Sequence, residues 1–556
     1  MKNVLALVLL LFLAAPVSAQ NKKAKKFLAA GNAASAAKNY DAAIDNYTKA
    51  IGRCPKYAEA YFNRATCYID QKKYREAIAD LTAAASILPD RAVIYYNRGY
   101  CHEKLKERDA AIADYTTAIQ IDPNYFAAYI NRGNCYSAEK RYRAAVSDFK
   151  DAIAIHPSND TGYYNKGLSE EDLEDFDDAR FDLNKAKSLN PGNSNNWIAS
   201  SRLFLLQGDT VTSFSEIQKA ITMGTDSADA YAIRAMCYRS QQRYADAIAD
   251  MDHAIRLDSS LSSYYNARGF IYFLAKEQAL AIHDYSNAIR LEPDSEEYYF
   301  NRGVSYTKLN DHLHARADYL QCLELKPDDY RVYFNMALED YNQKDYENAL
   351  TNVMQSIRLD STICTSYNLR GNIYVQEALG SGDPFVHDSL LHAAVSDGYK
   401  VISCEPASPD GWSLRALAYS MMGETKKAMY DINHAISIDS LSADNYSIRG
   451  LIEGMSGNTA ASIRDCDHAL KLDSVNINAY NIRANACRQL SRYDEAIRDY
   501  TTLIRLDPGN PSYYYHRGVC WHSKNNEQKA ADDIRAALKI DPGNASYKAA
   551  LQETGK

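Results

Sequence analysis

Asparagine side chains recur at a fixed interval along this 556-residue chain, and each can donate and accept hydrogen bonds at once. Four stand 34 residues apart, and two more repeat the interval further on. The six are Asn63, Asn97, Asn131, Asn165, Asn301 and Asn335. An amide side chain offers N–H donors and a carbonyl acceptor at once, so it can pair with both polar groups of a peptide unit. These residues are therefore candidate binding residues.

The residue before each of these amides is large and apolar. The six neighbours are Phe62, Tyr96, Ile130, Tyr164, Phe300 and Phe334. Beside a bound segment, Phe62, Tyr96 and Tyr164 would add a preference for apolar side chains. A second interpretation is that the repeats duplicated without diverging, and the sequence leaves both interpretations open.

The amides belong to a longer repeat that is marked by an aromatic residue two positions earlier. Eleven aromatic residues follow one another at 34 residues, and after a slip of 11 residues the spacing resumes for four more. They are Phe27, Tyr61, Tyr95, Tyr129, Tyr163, Trp197, Tyr231, Tyr265, Tyr299, Tyr333, Tyr367, Trp412, Tyr446, Tyr480 and Tyr514. This period is typical of a solenoid of stacked two-helix units, none of which can bury its apolar face alone.

Other positions of the repeat carry the small and helix-breaking residues that such units need. A small residue, such as Gly31, follows each aromatic residue by four positions, and Ala or Ser follows by sixteen. Pro, as in Pro55, ends ten of the copies and breaks the second helix. This order closely resembles the tetratricopeptide repeat. The resemblance implies an all-α fold, a right-handed α-solenoid or superhelix of about 15 helix-turn-helix repeats.

The repeats divide the chain into five segments. We expect a signal peptide in 1–19, repeats 1–10 in 20–363, an interrupted repeat with a loop insertion in 364–408, repeats 12–15 in 409–544 and a C-terminal capping helix in 545–556.

The insertion falls between the two helices of the interrupted repeat, around residues 375–389. Residues 380–384 read Gly-Ser-Gly-Asp-Pro, which favours a loop, so we expect an extended, solvated loop here. His387 and His392 lie close by with two aspartates, but a spacing of five does not place two ligands on one face of a helix. A metal site is therefore not expected.

The N-terminal residues resemble an export signal. Lys2 precedes an apolar run over residues 4–15, and Val17, Ser18 and Ala19 form a small-residue cleavage site. The run is too short to span a bilayer comfortably, and no later run is long enough. We therefore expect cleavage before Gln20 and export of a mature chain without a transmembrane segment, most simply to the periplasm, with secretion as the alternative.

Composition and motifs argue against several classes of function. The net charge is −8, and no basic stripe appears beyond a short lysine cluster at residues 22–26, so no nucleic-acid partner is expected. The sequence contains no nucleophile elbow, no His-Glu-x-x-His motif, no phosphate loop and no Cys-x-x-Cys pair. We therefore expect no enzyme activity, no cofactor and no bound metal.

The eleven cysteines invite a disulfide interpretation, but five of them share one small, buried repeat position. Those five are Cys67, Cys101, Cys135, Cys237 and Cys520. Equivalent helices lie about 8–10 Å apart, too far for a disulfide, so we expect these thiols to act as small apolar side chains. Cys364 and Cys404 differ because they stand at helix ends that an antiparallel pair brings together. A bond between them stays open.

A charge pattern predicts ion pairs between the two helices of a repeat. In most copies a basic residue follows the aromatic residue by three positions, and an acid follows 16 residues later, as in Arg132 and Asp148. Where the basic residue becomes Met336, the acid becomes Asn352, and Ala30 shows the same joint loss. We therefore predict structural pairing within each repeat.

The resemblance also implies a function. The first helices of tetratricopeptide repeats line a concave surface, and in some relatives an Asn at the position of these amides holds the backbone of an extended peptide. We therefore expect an exported, non-enzymatic scaffold that binds extended segments of partner proteins in its concave groove. The alternative is a structural or assembly component of a cell-envelope complex. The lysine of the carboxylate clamp in chaperone-binding relatives is absent here.

Overall fold

The computed structural model describes residues 22–554, and all regular structure in that range is helical. It contains 31 α-helices and, over those residues, no strand, which confirms the all-α prediction. The expected signal peptide lies outside the described residues. None of the described helices is both long and apolar enough to cross a membrane.

The chain divides into two compact units, and the first ends at Ala275. Its helices are α1 (Lys22–Ala36), α2 (Tyr40–Arg53), α3 (Ala58–Asp70), α4 (Tyr74–Ile87), α5 (Ala92–Lys104), α6 (Arg108–Ile121), α7 (Phe126–Ala138), α8 (Tyr142–Ile155), α9 (Asp160–Asp172), α10 (Phe176–Leu189), α11 (Ser194–Leu206), α12 (Thr210–Thr222), α13 (Ala228–Ser240), α14 (Tyr244–Leu257) and α15 (Ser262–Leu274).

The second unit begins at Lys276. Its helices are α16 (Gln278–Leu291), α17 (Glu296–Lys308), α18 (His312–Leu325), α19 (Tyr330–Asn342), α20 (Tyr346–Leu359), α21 (Cys364–Gly380), α22 (Pro384–Cys404), α23 (Asp410–Met421), α24 (Thr425–Ile438), α25 (Ala443–Met455), α26 (Thr459–Leu472), α27 (Ile477–Gln489), α28 (Tyr493–Leu506), α29 (Pro511–Ser523), α30 (Glu527–Ile540) and α31 (Ala545–Thr554).

The two helices of a repeat are joined by a tight turn that needs one left-handed residue. In the second repeat this residue is Lys72, with φ of 60°. The turn closes when the Lys73 amide donates to the Tyr68 carbonyl at 2.8 Å, a pattern that caps the end of a helix. The sixth repeat uses Gly208 at the same position, with φ of 79°, where glycine carries no steric cost.

The small residue of each repeat lies where a side chain of the second helix crosses the first. A Cβ added to Gly133 would lie 2.5 Å from the Phe149 ring, which is itself buried. At Gly99 the Ala111 carbonyl oxygen is also close, at 3.2 Å. These repeats therefore need a small residue because a side chain of the second helix, here a ring, packs against it.

The interrupted repeat differs from its sequence prediction. The expected loop around residues 375–389 is wrong, because the extra residues lengthen both helices: α21 has 17 residues and α22 has 21. Only three residues separate the two helices. Val375, Ala378 and Leu391 are buried together, which extends the apolar stripe of each helix beyond its usual length. Asp383 caps α22 by accepting a hydrogen bond from the Phe385 amide at 2.9 Å.

The cysteines are thiols throughout the described residues, and the five that share a repeat position are buried. Their prediction as small apolar side chains is confirmed. Cys364 and Cys404 are also free thiols in this structure. Burial, followed by the neighbouring Cys404 thiol, raises the pKa of Cys364 to about 11, so its thiol stays protonated near neutral pH.

The two histidines of the interrupted repeat bind backbone carbonyls. His387 Nδ1 lies 2.9 Å from the Ala378 carbonyl oxygen, and His392 Nδ1 lies 2.8 Å from that of Asp388. Over residues 22–554 no group of three or more His, Cys, Asp or Glu residues is placed to hold a metal ion.

Candidate peptide-binding surface

The four amides of the first run lie on the first helices of consecutive repeats, α3, α5, α7 and α9, and all four are half-buried. Hydrogen bonds join such helices directly. Asn63 Nδ2 donates to Asn32 Oδ1 of α1 at 3.0 Å, and Asn131 Nδ2 donates to the Tyr96 hydroxyl of α5 at 3.2 Å. First helices of neighbouring repeats therefore lie side by side, and the amides form one row within the first unit.

The acceptor side of this row remains available. Asn97 Nδ2 donates to the Val93 carbonyl of its own helix at 2.9 Å, so three of the four amides use a donor within the protein. Among the described residues, no donor reaches the Oδ1 atoms of Asn63, Asn97 and Asn131, and the Asn165 side chain forms no hydrogen bond there. Each Oδ1 can therefore accept a hydrogen bond from a peptide N–H group.

The apolar neighbours of the amides are less exposed than the sequence predicts. Phe62 retains 9% exposure and packs in the core with Leu81, so the prediction that its ring contacts a bound segment is wrong. Tyr96 is half-buried, and its ring lies 5.0 Å from that of Tyr125. Tyr164 is half-buried too, and burial raises its pKa, which keeps its hydroxyl a donor at neutral pH.

The second run of amides lies in the second unit, on α17 and α19. Asn335 Nδ2 donates to the Arg331 carbonyl at 2.8 Å, and the Asn301 carbonyl accepts from the Ser305 hydroxyl at 2.9 Å. The Arg331 guanidinium lies 4.8 Å from the centre of the Phe300 ring. This shorter row has one aromatic neighbour that an arginine already contacts.

The predicted ion pairs form between the two helices of most repeats. Arg132 Nε donates to Asp148 Oδ2 at 2.8 Å, and its Nη2 donates to Oδ1 at 2.7 Å. The same two-bond arrangement joins nine further pairs. They are Arg64–Asp80, Arg98–Asp114, Arg234–Asp250, Arg302–Asp318, Arg370–Asp397, Arg415–Asp431, Arg449–Asp465, Arg483–Asp499 and Arg517–Asp533. The prediction of pairing within the repeat is confirmed.

Burial makes the Arg132–Asp148 pair costly as well as specific. Burial raises the pKa of Asp148, even though the hydrogen bonds from Arg132 act in the opposite direction. The loss of hydration therefore outweighs the attraction for this carboxylate. Such a pair fixes how the helices are aligned more than it adds to net stability.

The arginines also link neighbouring repeats, which sequence reasoning missed. Arg132 Nη1 donates to Thr116 Oγ1 of the preceding repeat at 2.9 Å, and Arg64 reaches Thr48 in the same way at 2.7 Å. The recurring signal was a polar residue 16 positions before most of these arginines, although Met354 holds that position before Arg370. Arg64 and Arg132 therefore each connect their own first helix to the second helices of two successive repeats.

Repeats that lack the arginine form other polar contacts between their helices. The sixth repeat has Ser200 in place of the arginine, and Lys187 of the fifth repeat donates to its hydroxyl at 2.9 Å and to Glu216 at 2.5 Å. In the tenth repeat Met336 replaces the arginine, and Asn352 donates to Asp340 at 2.7 Å. The tenth repeat therefore lacks both charges of the usual pair and joins its two helices through an amide and a carboxylate.

Comparison with known proteins identifies the family. Three models, each described as tetratricopeptide repeat, match this chain. The first matches residues 21–92 and 457–545, the second matches 92–125 and 126–159, and the third matches 161–193, 228–261 and 296–329. Together they cover more than half of the chain, which belongs to the tetratricopeptide repeat family. Repeats of this family are generally protein-interaction scaffolds, and they are generally non-catalytic.

Solved structures resemble the chain at low identity. A tetratricopeptide repeat protein from Parabacteroides merdae is 20% identical and covers 47% of this chain and 100% of its own, with a TM-score of 0.38. Cut9–Hcn1 of the APC/C is 12% identical and covers 96% and 97%, with a TM-score of 0.39. YrrB, described as having an unusual peptide-binding site, is 14% identical and covers 33% and 95%, with a TM-score of 0.29. No curated protein matches the chain.

Proposed function

We propose that this protein is an exported interaction scaffold that binds an extended segment of a partner protein along repeats two to five. The observation that supports it is the row of four amides on α3, α5, α7 and α9, on first helices that hydrogen bonds join side by side. An extended strand presents its N–H and C=O groups at regular intervals, and regularly spaced amides suit such a partner.

The chemistry of the row favours recognition of backbone over side chains. Oδ1 of Asn63, Asn97 and Asn131 can accept from a peptide N–H, and Asn165 can also donate. Since Phe62 is buried, apolar preference depends on the exposed parts of Tyr96 and Tyr164. The protein would therefore tolerate varied partner sequences, with a modest preference for aromatic or aliphatic side chains.

The experiment is capture of partners from an envelope extract by the full mature chain and by a variant with all four asparagines changed to alanine. Each amide contact is worth about 0.5–1.5 kcal/mol, so the fourfold change should abolish capture. A matched control changes four exposed residues that share one position of the second helices, Arg75, Asp109, Arg143 and Asp177. Equal capture by the asparagine variant would overturn the proposal.

Export is a separate part of this proposal. It rests on the apolar run at residues 4–15 and the Val17-Ser18-Ala19 site, and it places the working protein in the periplasm or outside the cell. Intact mass measurement of the native protein tests it. A mass that begins at Gln20 supports export, and a chain that retains Met1 contradicts it.

A second candidate function, assembly within a cell-envelope complex, is favoured by an apolar patch at the tip of α21 and α22. Phe385 is 87% exposed there, and Leu379 and Val386 are exposed beside it. Patches of this kind mark contact surfaces between proteins. If Phe385→Asp releases the protein from a large native complex while the asparagine variant stays in it, the assembly function is the better account.

A further inference from the structure

One position of the repeat changes its chemistry only in the tenth copy. The residue six positions after the aromatic residue is small or apolar elsewhere, as with the buried Cys67 and Ile373. In the tenth repeat it is Glu339, which keeps 6% exposure. A carboxylate in a position built for a small apolar side chain costs free energy, so it calls for a compensating partner.

Only one of the two oxygens of this carboxylate has a partner. His312 Nδ1 lies 2.5 Å from Glu339 Oε2, whereas Glu339 Oε1 is buried and has no hydrogen-bond partner within residues 22–554. The other nearby charges are already matched to each other, because Arg316 donates to Asp340 at 2.8 Å. Within this cluster the two carboxylates of Glu339 and Asp340 thus face one guanidinium, that of Arg316.

Glu339 lines a cavity of about 250 Å³ between α18 and α19. Met336 and Tyr319 supply apolar walls, and Leu313 stands beside them with 79% of its surface exposed. Met336 is the residue that replaces the arginine of other repeats. The cavity thus adjoins a position where other repeats carry a cation. Its lining combines an apolar wall with the buried, unmatched Glu339 oxygen, and it also includes Arg316, whose guanidinium is held by Asp340.

We propose that this cavity binds the ammonium group of a lysine side chain that a partner protein presents. The lysine stem would lie against Met336 while the ammonium donates to Glu339 Oε1, and Leu313 at the edge of the cavity would contact the residues that flank the lysine. Lysine fits better than arginine because a guanidinium binds a carboxylate best through both oxygens, and His312 already occupies one of them. The exposed Leu313 favours a polypeptide over a free amine, because flanking apolar residues would cover it. This site lies on α18 and α19 and uses none of the four amides of α3, α5, α7 and α9.

The test uses the full chain with ¹³C-labelled methionine methyl groups and the peptide acetyl-Leu-Lys-Leu-amide. The Met336 methyl signal, assigned with Met336→Leu, should shift saturably with this peptide and not with its norleucine analogue. Glu339→Gln keeps the shape and the His312 contact but removes the charge, so affinity should fall about tenfold or more. Glu324→Gln, an exposed acid on α18, is the matched control and should bind like the unchanged protein.

Three results would overturn the proposal: no shift of Met336 with the lysine peptide, unchanged affinity in Glu339→Gln, or equally tight binding of n-butylamine, which would mark a site for free amines. Leu313→Ser provides a second variant, at a side chain that is exposed and not part of the core. This variant should bind the lysine peptide less tightly and bind n-butylamine as the unchanged protein does. An unchanged affinity for the peptide would contradict a polypeptide partner.

Discussion

Arg132 and Asp148 form two parallel hydrogen bonds across the helices of the fourth repeat, at 2.8 Å and 2.7 Å. The third guanidinium nitrogen donates to Thr116 of the third repeat at 2.9 Å. One side chain thus connects α7 to both α8 and α6. The same arrangement recurs at other arginines, such as Arg64 and Arg302, so these side chains connect the two helices of a repeat and also contact the preceding repeat.

Removing one partner of this pair should destabilise the protein more than removing both. Arg132→Ala leaves the Asp148 carboxylate buried without its cation, which costs on the order of 3–5 kcal/mol. Combining it with Asp148→Asn should recover part of that loss. Hydrogen exchange of α7 and α8 amides measures the local free energy of opening in each variant. In a double-mutant cycle, losses of stability in the two single variants that add up to the loss in the double variant would mean that the two residues do not interact.

Loss of the hydrogen bond between Arg132 and Thr116 should destabilise the protein less than loss of the Arg132–Asp148 pair. Thr116→Val keeps the side-chain shape and removes the acceptor for Arg132, so the junction of the third and fourth repeats should lose about 1 kcal/mol. Thr117→Val on the same helix is the control, because Thr117 binds only the Ala113 carbonyl of its own helix. Urea unfolding of both variants measures the difference. An equal loss in the two would argue against a role for Thr116 between repeats.

The sequence predicted the repeat and its ion pairs because both depend on local spacing. The loop at the insertion was predicted too long. The Gly-Ser-Gly-Asp-Pro sequence breaks the helix over only three residues, and the apolar positions on either side, such as Val375 and Leu391, continue the helical period. Glu339 was missed for a different reason. Its importance depends on a cavity between α18 and α19, and no spacing within one helix reveals an unmatched oxygen in such a cavity.

Packing around the small residue predicts a compensating pair of substitutions. Gly133→Ala would bring a Cβ to 2.5 Å from the Phe149 ring, and overpacking of this kind costs about 1–3 kcal/mol. Adding Phe149→Leu should relieve the strain, because the second repeat packs Ala65 and Leu81 at the same two positions, both fully buried. Thermal unfolding of the single and double variants tests this. If Phe149→Leu lowers the melting temperature as much in the Gly133→Ala variant as in the unchanged protein, the contact between residues 133 and 149 is not the cause of the strain.

His516 predicts a loss of stability in mild acid. Burial, with the nearby positive charge of Arg488, lowers the pKa of His516 from 6.5 to about 4. Between those values the unfolded chain binds a proton that the folded chain does not, so stability is full above pH 6.5 and falls as the pH drops toward 4. The expected loss is on the order of 2 kcal/mol, after allowance for partial exposure.

Hydrogen exchange of α29 amides at pH 7 and pH 5 measures this loss. The matched variant is His516→Asn, since Asn63 occupies the same repeat position and does not titrate. It should remove most of the pH dependence in α29. If the pH dependence of exchange in α29 is unchanged in His516→Asn, a group other than His516 is responsible for it.

The most direct test of the central claim is photocrosslinking from a residue beside the row of amides. Asn134 is exposed on α7 and holds the repeat position that Asn32 holds on α1, where Asn32 contacts Asn63 of the next repeat. A photoreactive amino acid at position 134 should therefore crosslink a captured partner, and the fourfold asparagine variant should lose that product. The same probe at Arg143, exposed on α8, should give none. Equal products from both positions, unaffected by the asparagine substitutions, would contradict binding along the first helices.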